Sequence, residues 1–140
     1  MIERNRIYNE DCLTAMTRIE NNSIDMILCD LPYGSTVLKW DVIIPFEALW
    51  AQYERIITEK GAIVLFGIQP FTSELILSNP KLFKYEMIWE KSRGSNFVHS
   101  KYQPLRVHEN ILVFSHSPSC LLYTSPSPRD QRGSRMPSSA

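Results

Sequence analysis

Residues 23–34 read SIDMILCDLPYG, and this stretch decides the fold. Its apolar side chains follow one another almost without a break, and the run ends at the carboxylate of Asp30. Near-continuous apolarity is typical of a strand buried on both faces of a parallel sheet. Ligand sites in open α/β sheets lie beyond the carboxyl ends of the strands, so Asp30 is predicted at a functional edge.

Helical and strand patterns alternate on both sides of this strand. Residues 11–20 predict a short helix capped by Asp11, and residues 45–61 predict a longer helix with Gly61 at its C-cap. Residues 62–67 predict a second buried strand, residues 72–80 a helix opened by Thr72 or Ser73, and residues 85–91 and 109–115 two further strands. This order predicts an open α/β sheet, mostly parallel and Rossmann-like, with an antiparallel hairpin at its edge.

Length and composition indicate one globular domain. The 140 residues carry 15 basic and 15 acidic side chains, and no apolar run is long enough to span a membrane. The charged N-terminus argues against a secretory signal, so we expect a cytoplasmic protein with no membrane contact. Cys12, Cys29 and Cys120 form no disulfide framework, and the spacing of the three histidines predicts no metal site.

The last 24 residues differ from the rest of the chain. They hold seven Ser and four of the nine Pro, and their net charge is +2, which leaves a net charge of −2 on residues 1–116. This composition predicts disorder. The segment CLLYTSPSPRD also resembles translated sequencing-adapter read-through, so we expect a catalytic-motif domain over residues 1–116 and a disordered, non-native tail over 117–140. A natural flexible tail is the alternative.

The segment Asp30-Leu31-Pro32-Tyr33-Gly34 carries the chemistry. It could be a plain strand-to-helix turn. Alternatively, Pro32 has no N–H and biases Leu31 away from helix, which leaves two carbonyls free to face a cleft. Asp30 and one carbonyl could then accept the two hydrogens of an exocyclic amine, while Tyr33 stacks on the ring of a base that has left its duplex.

The segment DLPYG resembles the (D/N/S)PP(Y/F/W) motif of AdoMet-dependent DNA methyltransferases that modify adenine N6 or cytosine N4. Further similar segments are an opening with EDC-L at residues 10–13, the strand and Gln-Pro-Phe turn at 61–76, and a hairpin with Trp-x-Lys and His-Glu-x-Ile-x-Val-Phe at 85–115. The resemblance covers residues 6–116. It implies a site-specific, cytoplasmic DNA methyltransferase that uses S-adenosyl-L-methionine (AdoMet), acts on double-stranded DNA and flips its target base, with a restriction endonuclease partner or a phage context.

The resemblance also assigns roles. Asp30 and the carbonyl of Leu31 or Pro32 accept the amine hydrogens, and Tyr33 stacks on the base. Asp11, Cys12 and Asp30 contact AdoMet, although Asp11 could be only a helix cap. The expected DNA-backbone contacts supply local positive charge or a hydroxyl and could equally be a solvated loop: Lys91, Ser92, Arg93, Lys101 and Arg106. Gln69, Pro70 and Phe71 line the base pocket or form a simple turn, and Trp40, Trp50 and Trp89 are interpreted as packing residues.

The sequence departs from the family pattern at two points. Leu31 replaces the first Pro of the commonest motif, and no DPFxGSGTT-like glycine segment occurs in the 140 residues. The expected fold is therefore an incomplete methyltransferase sheet, with an unpaired apolar edge on the strand at 24–30, and the chain is expected to be inactive alone. Asp at the first motif position favours adenine N6. Cytosine N4, an RNA or protein-amide methyltransferase, and a non-catalytic nucleic-acid binding module are the alternatives.

Overall fold

The computed structural model describes residues 2–95 and 97–117. The predicted tail, with Cys120, lies outside the described residues from position 118 onward, so the division at residue 117 stays a prediction.

Four strands form one open sheet in the order β1-β2-β4-β3. They are β1 (Ile24–Cys29), β2 (Ile57–Gly67), β3 (Phe83–Ser95) and β4 (Arg106–Phe114). β1 pairs in parallel with β2, whereas β4 pairs antiparallel with both β2 and β3. Consequently β1, β2 and β3 run in the same direction. This confirms the predicted open α/β sheet with its antiparallel hairpin, in which β4 lies between β2 and β3. In the described residues the sheet is mixed, since one of its three strand pairings is parallel and two are antiparallel.

The described residues form three α-helices. They are α1 (Cys12–Met16), which precedes β1, α2 (Phe46–Ile56), which connects β1 to β2, and α3 (Phe71–Ser78), which connects β2 to β3. A 3₁₀ turn spans Phe97–His99, between β3 and β4. Apolar side chains of α2 and α3 join alternate sheet residues in one core, whose most buried members include Leu49, Trp50, Tyr53, Ile56, Phe71, Leu75, Ile63, Leu65, Leu112 and Phe114. The amphipathic pattern that predicts the longer helix is thereby confirmed, because four of its apolar residues are buried: Leu49, Trp50, Tyr53 and Ile56.

The burial of the first strand differs from the prediction. Met26 and Leu28 are 48% and 62% exposed, so β1 is buried on one face only. In the described residues the core helices pack against the opposite face, and β1 has a strand neighbour on one side only. The expected unpaired apolar edge is therefore present in this part of the chain, and it is an aggregation hazard.

Several boundaries also differ. α1 ends at Met16, α2 ends at Ile56 and α3 begins at Phe71, one residue early. Gly61 is not a C-cap: it lies within β2, where a Cβ atom would come within 2.9 Å of the Asp25 carbonyl oxygen. The hairpin strands extend into the predicted loop, because cross-strand pairing continues as far as Ser95 and Arg106. No helix within the described ranges is long and apolar enough to cross a membrane.

Candidate active site

Three of the predicted functional residues, Asp30, Gln69 and Arg106, lie at one edge of the sheet. The parallel directions of β1, β2 and β3 bring their carboxyl ends to this edge, together with the amino end of the antiparallel β4. Asp30 follows β1, Gln69 follows β2, Ser95 ends β3 and Arg106 begins β4. Residues that are far apart in the sequence therefore meet where an open α/β sheet places its ligands.

The Asp30–Tyr33 segment combines an anchored backbone with an accessible carboxylate. Leu31 is only 5% exposed and belongs to the core, whereas Asp30 is exposed. The Tyr33 hydroxyl donates a hydrogen bond of 2.7 Å to Asp30 Oδ1. Burial, together with that hydrogen bond, raises the pKa of Tyr33 far above its ordinary value, so its hydroxyl stays a donor at neutral pH. The ring of Tyr33 packs against Phe71, with centroids 5.1 Å apart.

Asp41 holds the loop that follows this segment. Its two carboxylate oxygens accept hydrogen bonds from the backbone N–H groups of Gly34, at 2.8 Å, and Thr36, at 2.7 Å. Hydrogen bonds from Thr36 and Gly34 hold the pKa of Asp41 below its usual value, although burial opposes them. Gly34 has a φ of +63°, a left-handed conformation that favours glycine. No sequence pattern identifies Asp41, since an Asp seven residues after a glycine carries no distinctive spacing.

A cavity of about 320 Å³ opens beside Asp30. Its size lies at the lower end of the range of small-molecule sites. Its walls are Asp30, Leu31, Pro32, Tyr33, Ser35, Thr36, Trp40 and Asp41. Trp40 is 71% exposed and lines this cavity, so its interpretation as a packing residue is wrong, because the Asp41-held loop carries it away from the core. Trp50 is buried as expected, and Trp89 is half exposed against Phe66.

A second cavity, of about 240 Å³, lies on another side of Tyr33. Gln69, Pro70 and Phe71 contribute to its wall, together with Ile68 and Arg106. The Gln-Pro-Phe turn is therefore both the start of α3 and a cavity wall. Gln69 is held by the hydroxyl of Ser73, which donates to its Oε1 at 2.7 Å.

Asp11 and Cys12 lie at the start of α1. Asp11 accepts a 2.9 Å hydrogen bond from the Thr14 backbone N–H, and this bond lowers its pKa. Burial raises the pKa of the Cys29 thiol, and the nearby Cys12 contributes to the same shift. The start of α1 therefore lies within electrostatic range of the end of β1, which immediately precedes Asp30. The helix-cap geometry is confirmed, while a contact with AdoMet stays a prediction.

The predicted DNA-contact residues occupy different environments. Lys91 forms an ion pair with Glu109 and lies 5.9 Å from the centre of the Trp89 ring, so its charge is compensated. Ser92, Arg93 and Lys101 are exposed. Arg106 is exposed at the start of β4 and lines the second cavity. Within the described residues, the ion pairs found involve only Arg6, Arg18 and Lys91 among the cations.

Arg55 is a second residue that the sequence analysis missed. Its guanidinium donates to the carbonyl oxygens of Met16, at 2.7 Å, and Ile19, at 2.8 Å, and to the side chain of Asn21 at 2.6 Å. These bonds attach the end of α1 to α2 just before β1 begins. Arg55 therefore supports the strand that carries Asp30, a role that no local pattern indicates. In residues 2–95 and 97–117 no group of three or more His, Cys, Asp or Glu side chains could hold a metal ion.

The fold is similar to that of solved DNA methyltransferases. The cytosine-N4-specific PvuII DNA methyltransferase matches 79% of this chain and 49% of its own, with a TM-score of 0.60 and 9% sequence identity. The M1.HpyAVI–SAM complex matches 75% of this chain and 52% of its own, with a TM-score of 0.51 and 18% identity.

Among individual proteins, the chain is similar to the type II methyltransferase M1.MboII of Moraxella bovis. The two are 24% identical over 127 residues, which cover 84% of this chain and 48% of the relative. No family model matches the chain. These similarities confirm the resemblance to DNA methyltransferases that the motifs predicted. The chain spans about half the length of the proteins that it matches.

Proposed function

We propose that this chain is the catalytic-motif segment of an AdoMet-dependent DNA methyltransferase. The modified group is the exocyclic amine of a base flipped out of double-stranded DNA. One observation carries the proposal: Asp30, Leu31, Pro32 and Tyr33 together line a cavity at the carboxyl end of β1, in a fold of the DNA methyltransferase class. This is the arrangement that the DLPYG motif requires.

Recognition of the amine follows from the acceptors at the cavity. The Tyr33 hydroxyl uses Asp30 Oδ1, so Oδ2 is available to accept one amine hydrogen. The carbonyl oxygen of Leu31 or Pro32 accepts the other. Two such bonds draw the nitrogen lone pair out of conjugation with the ring and orient it for attack. The Tyr33 ring, steadied by Phe71, stacks on the base and contributes about 1–3 kcal/mol.

AdoMet would supply an electrophilic methyl group for direct displacement, without a covalent enzyme intermediate. Asp30, Asp11 and Cys12 are the residues of this chain proposed to contact it, because they belong to the DLPYG and EDC-L segments that resemble the family's motifs. The absence of a glycine-rich cofactor segment from the sequence leads us to expect no methyl transfer by the 140-residue chain alone.

Adenine N6 is the favoured target, because the motif begins with Asp. Cytosine N4 is the second candidate, and the match to the cytosine-N4-specific PvuII enzyme supports it. Ser92, Arg93, Lys101 and Arg106 are the proposed DNA-backbone contacts. Lys91 contributes less than the sequence analysis expected, since Glu109 compensates its charge.

A chimera tests this function. Residues 1–116 would replace the segment of the Moraxella bovis methyltransferase to which they align. The chimera would be incubated with radiolabelled AdoMet and unmethylated DNA, and the product nucleosides would be separated. We expect label in N6-methyladenine, and at least ~100-fold less label with Asp30→Ala, which removes the acceptor. Label in N4-methylcytosine would select the second candidate.

Asp25→Ala is the matched control, because Asp25 is an exposed carboxylate at the other end of β1. It should leave the rate unchanged. Full activity of Asp30→Ala in the folded chimera would contradict the role given to Asp30. Label on carbon atoms of the bases, or none on DNA when the chimera is folded and binds AdoMet, would contradict the proposed function.

A further inference from the structure

We propose that a third cavity, at the base of the β3–β4 hairpin, binds the phosphate group of the flipped nucleotide. This inference rests on the proposed function and adds to it a site for a second part of the substrate. The cavity has a volume of about 460 Å³ and is lined by Ser35, Ser95, His99, Gln103 and Arg106.

The lining is suited to an anion. Each of these side chains carries a hydrogen-bond donor, and none is a carboxylate. The Ser95 hydroxyl already donates to the Arg106 carbonyl oxygen at 3.5 Å, so Arg106, Ser35, His99 and Gln103 supply the donors for an anion. The Arg106 guanidinium presents a planar set of donors that matches phosphate oxygens, and no ion pair occupies it in the described residues.

The position of the cavity links it to the base site. Ser35 lines both this cavity and the one that contains Asp30 and Tyr33. Arg106 lines both this cavity and the one formed by Tyr33 and the Gln-Pro-Phe turn. The three cavities are therefore neighbours around residues 33–35. A nucleotide whose base lies against Tyr33 would direct its sugar and phosphate past Ser35 toward Arg106.

The hairpin fixes the two sides of the phosphate cavity. Ser95 and Arg106 are cross-strand partners in the β3–β4 ladder. His99 ends the short 3₁₀ turn that follows β3, and its carbonyl accepts backbone hydrogen bonds from Tyr102, at 2.9 Å, and Gln103, at 3.1 Å. Backbone hydrogen bonds thus hold Ser95 and Arg106 on one side of the cavity and His99 and Gln103 on the other. Arg93 and Lys101 do not line it, so they would contact flanking phosphates instead.

The test compares 2′-deoxyadenosine with its 5′-monophosphate on the 140-residue chain. Dissociation constants would be measured by NMR titration at 0.15 M salt, where non-specific attraction is largely screened. A charge-assisted contact predicts that the phosphate improves binding about tenfold. Arg106→Gln should reduce this ratio to about twofold or less, while circular dichroism confirms that the variant is folded.

Lys81→Gln provides the charge-matched control. Lys81 is exposed in the turn before β3, at the opposite edge of the sheet. It should leave the ratio unchanged. Deoxycytidine and its 5′-monophosphate repeat the test for the cytosine alternative.

Three results would overturn the phosphate site: no binding of either monophosphate, a ratio near one for the unmodified chain, or an equal loss with Lys81→Gln. Binding of a monophosphate that depends on Arg106 would support the phosphate site even if the nucleosides bind too weakly to detect. Undetectable nucleoside binding would count against the base cavity of the proposed function. Failure of the phosphate site and failure of the proposed function therefore give different results.

Discussion

Gly67 ends β2 and is packed against the first turn of α3. A Cβ atom at this position would lie 2.6 Å from Thr72 Oγ1 and 3.4 Å from Thr72 Cα. Thr72 is 1% exposed, and its hydroxyl donates a 3.3 Å hydrogen bond to Asn110 Oδ1. Rotation of the Thr72 side chain would break this bond, and χ1 of a β-branched residue in a helix is restricted. Gly67→Ala therefore forces β2 and α3 apart.

The expected cost combines two effects. Overpacking of a filled core costs about 1–3 kcal/mol. Replacement of Gly by Ala returns about 0.4–1 kcal/mol, because it restricts the unfolded chain. We expect Gly67→Ala to lower the free energy of unfolding by about 1–2 kcal/mol.

Urea denaturation of four proteins measures this effect: the unmodified chain, Gly67→Ala, Thr72→Ala and the double variant. Thr72→Ala removes the oxygen at 2.6 Å and retains Cβ at an ordinary 3.5 Å. The double variant should therefore lose about 1 kcal/mol less free energy of unfolding than the two single variants lose in sum. Additive losses, or a Gly67→Ala protein as stable as the unmodified chain, would refute the close packing of α3 on β2.

Three further predictions concern stability and use the same denaturation assay. Arg55→Met should cost about 2 kcal/mol, because it leaves the carbonyls at the end of α1 without their charged donor; a loss below about 0.5 kcal/mol would show that this attachment is dispensable. Trp50→Ala should cost about 3–5 kcal/mol, since Trp50 is 5% exposed and its indole N–H donates a hydrogen bond to Ser78. Trp40→Ala should change the free energy of unfolding by no more than about 0.5 kcal/mol, because Trp40 is exposed. Similar losses in the two variants would contradict their different burial. Burial raises the pKa of Tyr53, so the folded state retains that proton above the ordinary pKa of about 10. Stability should therefore fall as pH rises above 10, by up to about 1.4 kcal/mol per pH unit for this group. Tyr53→Phe should reduce that dependence, and an unchanged slope would exclude Tyr53 as its source.

The sequence was most informative where a pattern is local and repeated. The apolar face of α2 and the buried run of β2 correspond to continuous periodicity, and both are confirmed. The predicted end of the helix at Gly61 was wrong. A glycine after a helical pattern resembles a C-cap, whereas Gly61 lies within β2 and lets the backbone come close to the carbonyl oxygen of Asp25. Tertiary contact, not the local pattern, decides the role of that glycine.

Within the candidate site, the DLPYG segment was predictable from the sequence, whereas the residues that support it, Asp41 and Arg55, were not. Asp30 and Tyr33 belong to a recognisable run of residues. Asp41 and Arg55 act through hydrogen bonds to backbone groups, and the bonds of Arg55 span more than 30 positions, so their roles depend on the folded geometry. The apolar run of β1 predicted burial of both faces of the strand. The described residues bury one face and leave Met26 and Leu28 on the other face exposed.

Recognition of an exocyclic amine by Asp30 is the central claim, and it can be measured on this chain. NMR titration would compare 2′-deoxyadenosine with 2′-deoxyribosylpurine, which has the same ring system without the amine. We expect deoxyadenosine to bind about tenfold more tightly, as hydrogen bonds to a charged acceptor predict. Asp30→Ala should reduce this preference, and Asp25→Ala should preserve it. Equal affinity of the two nucleosides for the unmodified chain, or a preference that persists in Asp30→Ala, would contradict the account.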